Sequence, residues 1–144
     1  DDAYARLIQR QDETGADVVL GLHVIEDPPV WDMVDCDEDG RVRALVMKPV
    51  STTLTFGWCC AVWTPRFTAF LHDFLRADET KRNLSRLANT ANDPGGDLAV
   101  GVVLQAALKA GLTVQSVKFP NERYLDIGTP ENLLKAVRQF HNPH

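Results

Sequence analysis

Two short stretches of this sequence carry residues able to handle a phosphate. Met47-Lys48-Pro49 closes a β-prone run, and a lysine at a strand end can project a mobile point charge over the edge of a sheet. Tyr124-Leu125-Asp126-Ile127-Gly128-Thr129-Pro130 sets Asp126 between a strand end and a helix start. That is the carboxyl edge where open α/β sheets bind ligands. A lone carboxylate there suits a hard cation such as Mg2+, which takes one or two protein carboxylates and completes its shell with phosphate oxygens and water. Taken singly, each stretch also has a plainer reading. Lys48 would be a solvated strand-end lysine, and Asp126 would cap a turn.

Other chemistries find little support. There is no G-x-S-x-G, no S-x-x-K, no Gly-rich phosphate loop ending in G-K-[ST], and no G-x-G-x-x-G. Gly95-Gly96-Asp97 precedes a helix, but Asp97 would repel an anion and reads better as an N-cap. Asp37-Glu38-Asp39-Gly40 resembles the opening of a calcium loop, yet the twelfth position from Asp37 is Lys48 where a carboxylate is required. A hairpin turn fits it instead. Cys36 stands alone, and Cys59-Cys60 on a strand would face opposite sides. With no C-x-x-C pair and no Cys/His spacing for zinc, the three cysteines read as small apolar residues in a reducing compartment. His23, His72, His141 and His144 are scattered and form neither a metal set nor a triad.

The elements that must position these groups alternate between helix and strand. Residues 2–14 put Tyr4, Leu7 and Ile8 on one helical face, and Gly15 ends the helix. Residues 17–25 form a continuous apolar run, as in a strand buried on both faces, and Pro28-Pro29 closes it. Residues 30–36 and 41–47 are hairpin strands, and residues 54–63 a further strand. Thr64-Pro65 opens a helix carrying Phe67, Phe70, Leu71, Phe74 and Leu75 on its apolar face. Residues 77–91 read as a polar peripheral helix, 97–110 as a buried helix stopped by Gly111, and 112–119 as a strand. Tyr124-Leu125-Asp126 reads as a short strand end. Thr129-Pro130 then opens a last helix with Leu133, Leu134, Val137 and Phe140 on one side. This order predicts an α/β fold with an antiparallel part.

Length and composition bound the reading. The 144 residues suit a single domain, with 44% hydrophobic and 24% charged residues arguing against disorder. A net charge of −5 disfavours nucleic acid and anionic membranes as partners. No apolar run is long enough to span a membrane, and Asp1-Asp2-Ala3-Tyr4 lacks the organisation of a signal peptide. The expected address is the cytoplasm.

The sequence resembles the sugar-1-phosphate nucleotidyltransferases, which make NDP-sugars, in the order of its pieces. These are residues 15–21, then Trp31-Asp32-Met33-Val34 with residues 37–42, then Lys48-Pro49, then residues 124–134 with the D-x-G-T-P passage at 126–130. The resemblance implies a Rossmann-like α/β/α fold of the nucleotide-diphospho-sugar transferase type, with a mixed sheet. It implies a reaction in which a sugar-1-phosphate oxygen attacks the α-phosphate of an NTP and releases pyrophosphate. Lys48 would contact the sugar phosphate, Asp126 would bind Mg2+, and Trp31, Asp32, Met33 and Tyr124 would line the sugar side. Lys48 and Asp126 are thus the expected catalytic residues, with sugar 1-phosphate and NTP as the small-molecule partners.

Several family features have no counterpart. The nucleotide-binding half, with its G-x-G-T-R loop, P-K pair and further metal-binding Asp, is missing, so residues 1–144 are expected to be the sugar-phosphate-side portion of a single domain. Met47 replaces the glutamate before the lysine, and residues 99–102 at a helix start carry no carboxylate. The chain alone is therefore expected to lack transferase activity, whatever the parent protein does. The alternative is a non-catalytic sugar-nucleotide-binding or regulatory module of the same fold. An apolar sheet edge left by a missing half is compatible with self-association into a homo-oligomer.

Overall fold

The computed structural model describes residues 2–77, 99–122, 124 and 127–141. Helix α1 (Ala3–Thr14) leads into strand β1 (Val18–Val24), and the hairpin strands β2 (Asp32–Cys36) and β3 (Val42–Met47) follow. Strand β4 (Phe56–Trp63), helix α2 (Pro65–Arg76), helix α3 (Val100–Lys109), strand β5 (Val114–Phe119) and helix α4 (Pro130–His141) complete the described elements. The expected helix over residues 77–91 lies almost wholly outside the described residues, as do Leu125 and Asp126 of the expected strand end.

The five strands form a mixed sheet in the order β3-β2-β4-β1-β5. β1 is central in its apolar character and is buried along all but its last residue, as a strand covered on both faces must be. It runs antiparallel to β4 and parallel to β5. Its side chains alternate between two cores. Val18, Leu20 and Leu22 join Phe67 of α2 and Val103, Leu104 and Ala107 of α3 on one face. Val19 packs with Leu7 of α1 and Phe119 on the other. The α/β/α layering expected from the sequence is therefore present.

Local chemistry explains most boundaries. Gly15 adopts φ 64°, and its N–H donates to the Gln11 carbonyl to close α1. Gly111 at φ 87° ends α3 with its N–H on Leu108 O (3.1 Å), and the Leu112 N–H reaches Ala107 O (3.0 Å). Together these two bonds form the paired Schellman arrangement. The Asp37–Gly40 segment is a hairpin turn as expected, with the Gly40 N–H on Asp37 O and the Arg41 N–H on Asp37 Oδ1. Its tip docks on β5: the Ser116 hydroxyl donates to Gly40 O at 2.8 Å, Arg41 bridges Gln115, and the Arg10 guanidinium donates to Asp39 O.

Four local expectations need correction. Thr64 stands at the N-cap of α2, but its hydroxyl donates to Asp17 O instead of capping the helix. Cys59 and Cys60 do not diverge. Gly21 pairs with Cys60 and Leu22 with Trp58, so Cys59 is the extra residue of a β-bulge and the two sulfurs lie 3.8 Å apart. Tyr4 and Ile8 of α1 and Leu75 of α2 remain exposed, while Leu7 and Phe67 of the same apolar stripes are buried. On α4 the buried residue is Ala136, while Leu133, Leu134 and Val137 are exposed. No helix among the described residues is long and apolar enough to cross a membrane.

Candidate functional site

One end of the sheet gathers four of the residues singled out in the sequence, Trp31, Asp32, Lys48 and Tyr124. β1 and β5 run parallel and finish together at His23 and Phe119. Helix α3 leads into β5, so its first turn lies at that same end, the usual ligand side of an α/β sheet. The hairpin opens there too. Asp32 pairs with Met47, and beyond that pair the Lys48 N–H donates to Trp31 O at 3.0 Å.

Lys48 is exposed and adopts φ 41°, the one positive φ outside glycine among the described residues. A side-chain-bearing residue pays for that conformation, all the more before proline, and such strain tends to be kept where a side chain must be aimed. Asp32 is half-buried beside it. Burial raises its carboxyl above the ordinary value of 3.8, while the Lys48 charge and a hydrogen bond from the Trp58 side chain pull the other way. The carboxylate lies against Gly101 in the first turn of α3. A Cβ there would overlap Asp32 Oδ2 and come within 3.1 Å of its Cγ. The missing side chain of Gly101 is what lets the carboxylate sit on the helix.

A run of aromatic rings borders this acid–base pair. His23 stacks on Phe119 with centroids 5.2 Å apart, Tyr124 leans on His23 at 5.1 Å, and Trp31 meets Tyr124 edge-on at 5.3 Å. Arg6 closes the far end, 4.3 Å above the Phe119 ring. His23 is buried, and its Nδ1 has no hydrogen-bond partner.

The structure therefore brings Trp31, Asp32, Lys48 and Tyr124 together. Met33 is fully buried and points inward, because alternation along β2 turns it away from Asp32, so it lines no open surface. Asp126 lies outside the described residues. Among those described, no three His, Cys, Asp or Glu side chains gather as a metal site, and Asp32 faces an ammonium instead of a second carboxylate. His23, Trp58 and Gly101 were not singled out from sequence. His23 shares the strand parity of Val19, which could have assigned it to the α1 face. Nothing local marks Trp58 or Gly101, whose roles arise from contacts with Asp32.

This surface combines a point cation for an oxyanion, a carboxylate able to accept hydroxyl hydrogens, and ring faces for a flat or CH-rich ligand. The fold has solved counterparts. A protein described as a glucose-1-phosphate thymidylyltransferase from Bacillus anthracis, crystallised with sucrose, superposes with a TM-score of 0.68 at 12% identity. That match covers 100% of this chain and 51% of that one. The inositol-1-phosphate CTP transferase of T. maritima gives a TM-score of 0.58 at 19% identity, covering 86% of this chain and 44% of that one. The chain thus has the fold of sugar-phosphate nucleotidyltransferases and spans about half the length of these two proteins. No protein-family model and no curated protein matches its sequence.

Proposed function

We propose that this chain forms the sugar-phosphate side of a nucleotidyltransferase that joins a sugar 1-phosphate to an NTP. The observation that supports this most is the meeting of Lys48, Asp32 and the Trp31–Tyr124 pair at the ligand end of a nucleotidyltransferase-like sheet. In this reading an oxygen of the sugar 1-phosphate attacks the α-phosphorus of the NTP, and the bond to the departing pyrophosphate breaks. Such transfers need positioning and neutralisation of charge more than covalent help from the protein. Lys48 holds the sugar phosphate, Trp31 and Tyr124 flank the sugar, and Asp32 accepts from its hydroxyls. Asp126 is the proposed Mg2+ ligand, and the ion would supply charge neutralisation on the phosphates.

Titrating the chain calorimetrically with a panel of sugar 1-phosphates tests the reading. Lys48→Ala is expected to weaken binding about tenfold, the effect of one charge-assisted contact. Asp126→Asn should remove any Mg2+ dependence of that binding. Unchanged affinity in Lys48→Ala and Trp31→Ala together would overturn the assignment.

A second reading, a sugar-nucleotide-binding module without catalysis, draws on Met47, which is partly exposed where the related enzymes carry a glutamate. Against it, Asp32 brings a carboxylate to the first turn of α3, which has none of its own. Pyrophosphate release by the protein containing this chain, given NTP, Mg2+ and a sugar 1-phosphate, separates the two. Turnover excludes the module, and binding without turnover excludes the enzyme.

A further inference from the structure

A second cleft, of about 590 Å³, opens between β3, β5 and the carboxyl end of α3. That volume falls within the roughly 300–1,000 Å³ of small-molecule sites. It is distinct from the surface just described, since Lys109 lies roughly 12 Å along the helix axis from Gly101.

Its chemistry is uneven. Arg41, Arg43 and Lys109 line it against a single carboxylate, Asp37, in a chain whose net charge is −5. The Asp37 carboxylate is engaged by its own turn, accepting from the Arg41 N–H at 2.9 Å. Arg43 is paired with Asp35 at 3.2 Å, but Arg41 and Lys109 have no ion pair among the described residues. The floor is apolar, from Val42, Leu108, Leu112 and Val114. A helix carboxyl end would normally repel an anion. Here two of the terminal carbonyls already accept from the Gly111 and Leu112 N–H groups.

We propose that this cleft is a second ligand site, taking a phosphate monoester on a flat apolar body, with Arg41 and Lys109 binding the phosphate and the Val42–Leu108–Leu112 floor receiving the body. Two cations lining one cleft, with no ion pair among the described residues, suit a dianion better than a monoanion, and the apolar floor disfavours free phosphate as the preferred ligand. The inference does not depend on the proposed transferase reaction.

Titration of the 144-residue chain with 1-naphthyl phosphate, followed by NMR shifts at Gln105, Lys109 and Gly111, tests it. Saturable binding is expected, with 1-naphthol and inorganic phosphate each at least tenfold weaker. Arg41→Ala and Lys109→Ala should each weaken binding roughly fivefold to twentyfold, the range for loss of one charge-assisted contact. Both are exposed, so unchanged circular dichroism is expected. Lys48→Ala should leave the affinity unchanged. The proposal is overturned by absence of saturable binding, by equal affinity for 1-naphthol, by indifference to both cleft substitutions, or by loss of binding in Lys48→Ala.

Discussion

At the scale of single residues, Lys48 and Asp32 are each held in a state that costs stability. Lys48 occupies the left-handed region, which costs a side-chain-bearing residue roughly 1–2 kcal/mol. Lys48→Gly should therefore raise stability by about 1 kcal/mol while weakening the proposed sugar-phosphate binding about tenfold, and Lys48→Ala should weaken it to the same extent with no such gain. Urea denaturation of the two variants checks this. For Asp32, burial raises the carboxyl pKa in the folded state, so the native chain holds that proton more tightly than the unfolded chain. Its contribution favours folding at acid pH and is lost as pH climbs from 3.8 through the raised value. Asp32→Asn removes that loss. Thermal midpoints of parent and variant should diverge in the variant's favour as pH rises through this window. By contrast, the Cys59 thiol is pushed up to about 12, chiefly by burial and then by Cys60, which makes it a poor nucleophile at neutral pH.

At the scale of elements, α3 and the β2–β3 hairpin share the core and also meet where the Asp32 carboxylate rests on Gly101. Gly101→Ala would ordinarily gain about 1 kcal/mol of helix propensity. Here the new methyl meets the Asp32 carboxyl, so the gain should vanish or reverse. In an Asp32→Ala background the gain should return. A double-mutant cycle on unfolding free energies measures the difference as a coupling between the two positions, expected at about 1 kcal/mol or more. Independence of the two substitutions would mean that Asp32 does not rest on the helix.

At the scale of the molecule, Asp17 ties the sheet to the helices at the end opposite the candidate site. Its buried carboxylate accepts from the Thr113 N–H at 2.8 Å and from the Thr113 hydroxyl at 3.2 Å, and Arg66 of α2 lies 3.3 Å away. One side chain thus joins β1, the entry to β5 and the start of α2. Arg66 is largely exposed, so the ion pair adds little, and the Thr113 bonds carry most of the effect. Asp17→Ala leaves the Thr113 N–H without its carboxylate acceptor and should cost about 1–3 kcal/mol, read from the urea midpoint. Arg66→Ala should cost under about 1 kcal/mol.

Sequence alone determined the elements and their layering, because periodicity, prolines, glycines and turn chemistry act within a few residues. The apolar run of β1, the Asp37–Gly40 turn and the Gly15 and Gly111 stops were all legible for that reason. Through a resemblance carried by the order of its pieces it also pointed to Trp31, Asp32, Met33, Lys48, Tyr124 and Asp126; of these Met33 is buried and Asp126 lies outside the described residues. Only the tertiary structure decided which apolar faces are covered: Leu133, Leu134 and Val137 repeat at helical spacing yet stay exposed, since burial needs a partner surface that spacing does not specify. It alone decided the Cys59 bulge, which is set by the pairing of β4 with β1. It alone placed Gly101 under Asp32, across 68 intervening positions of sequence. Contacts between distant residues follow from how strands and helices pack, and no local pattern encodes that.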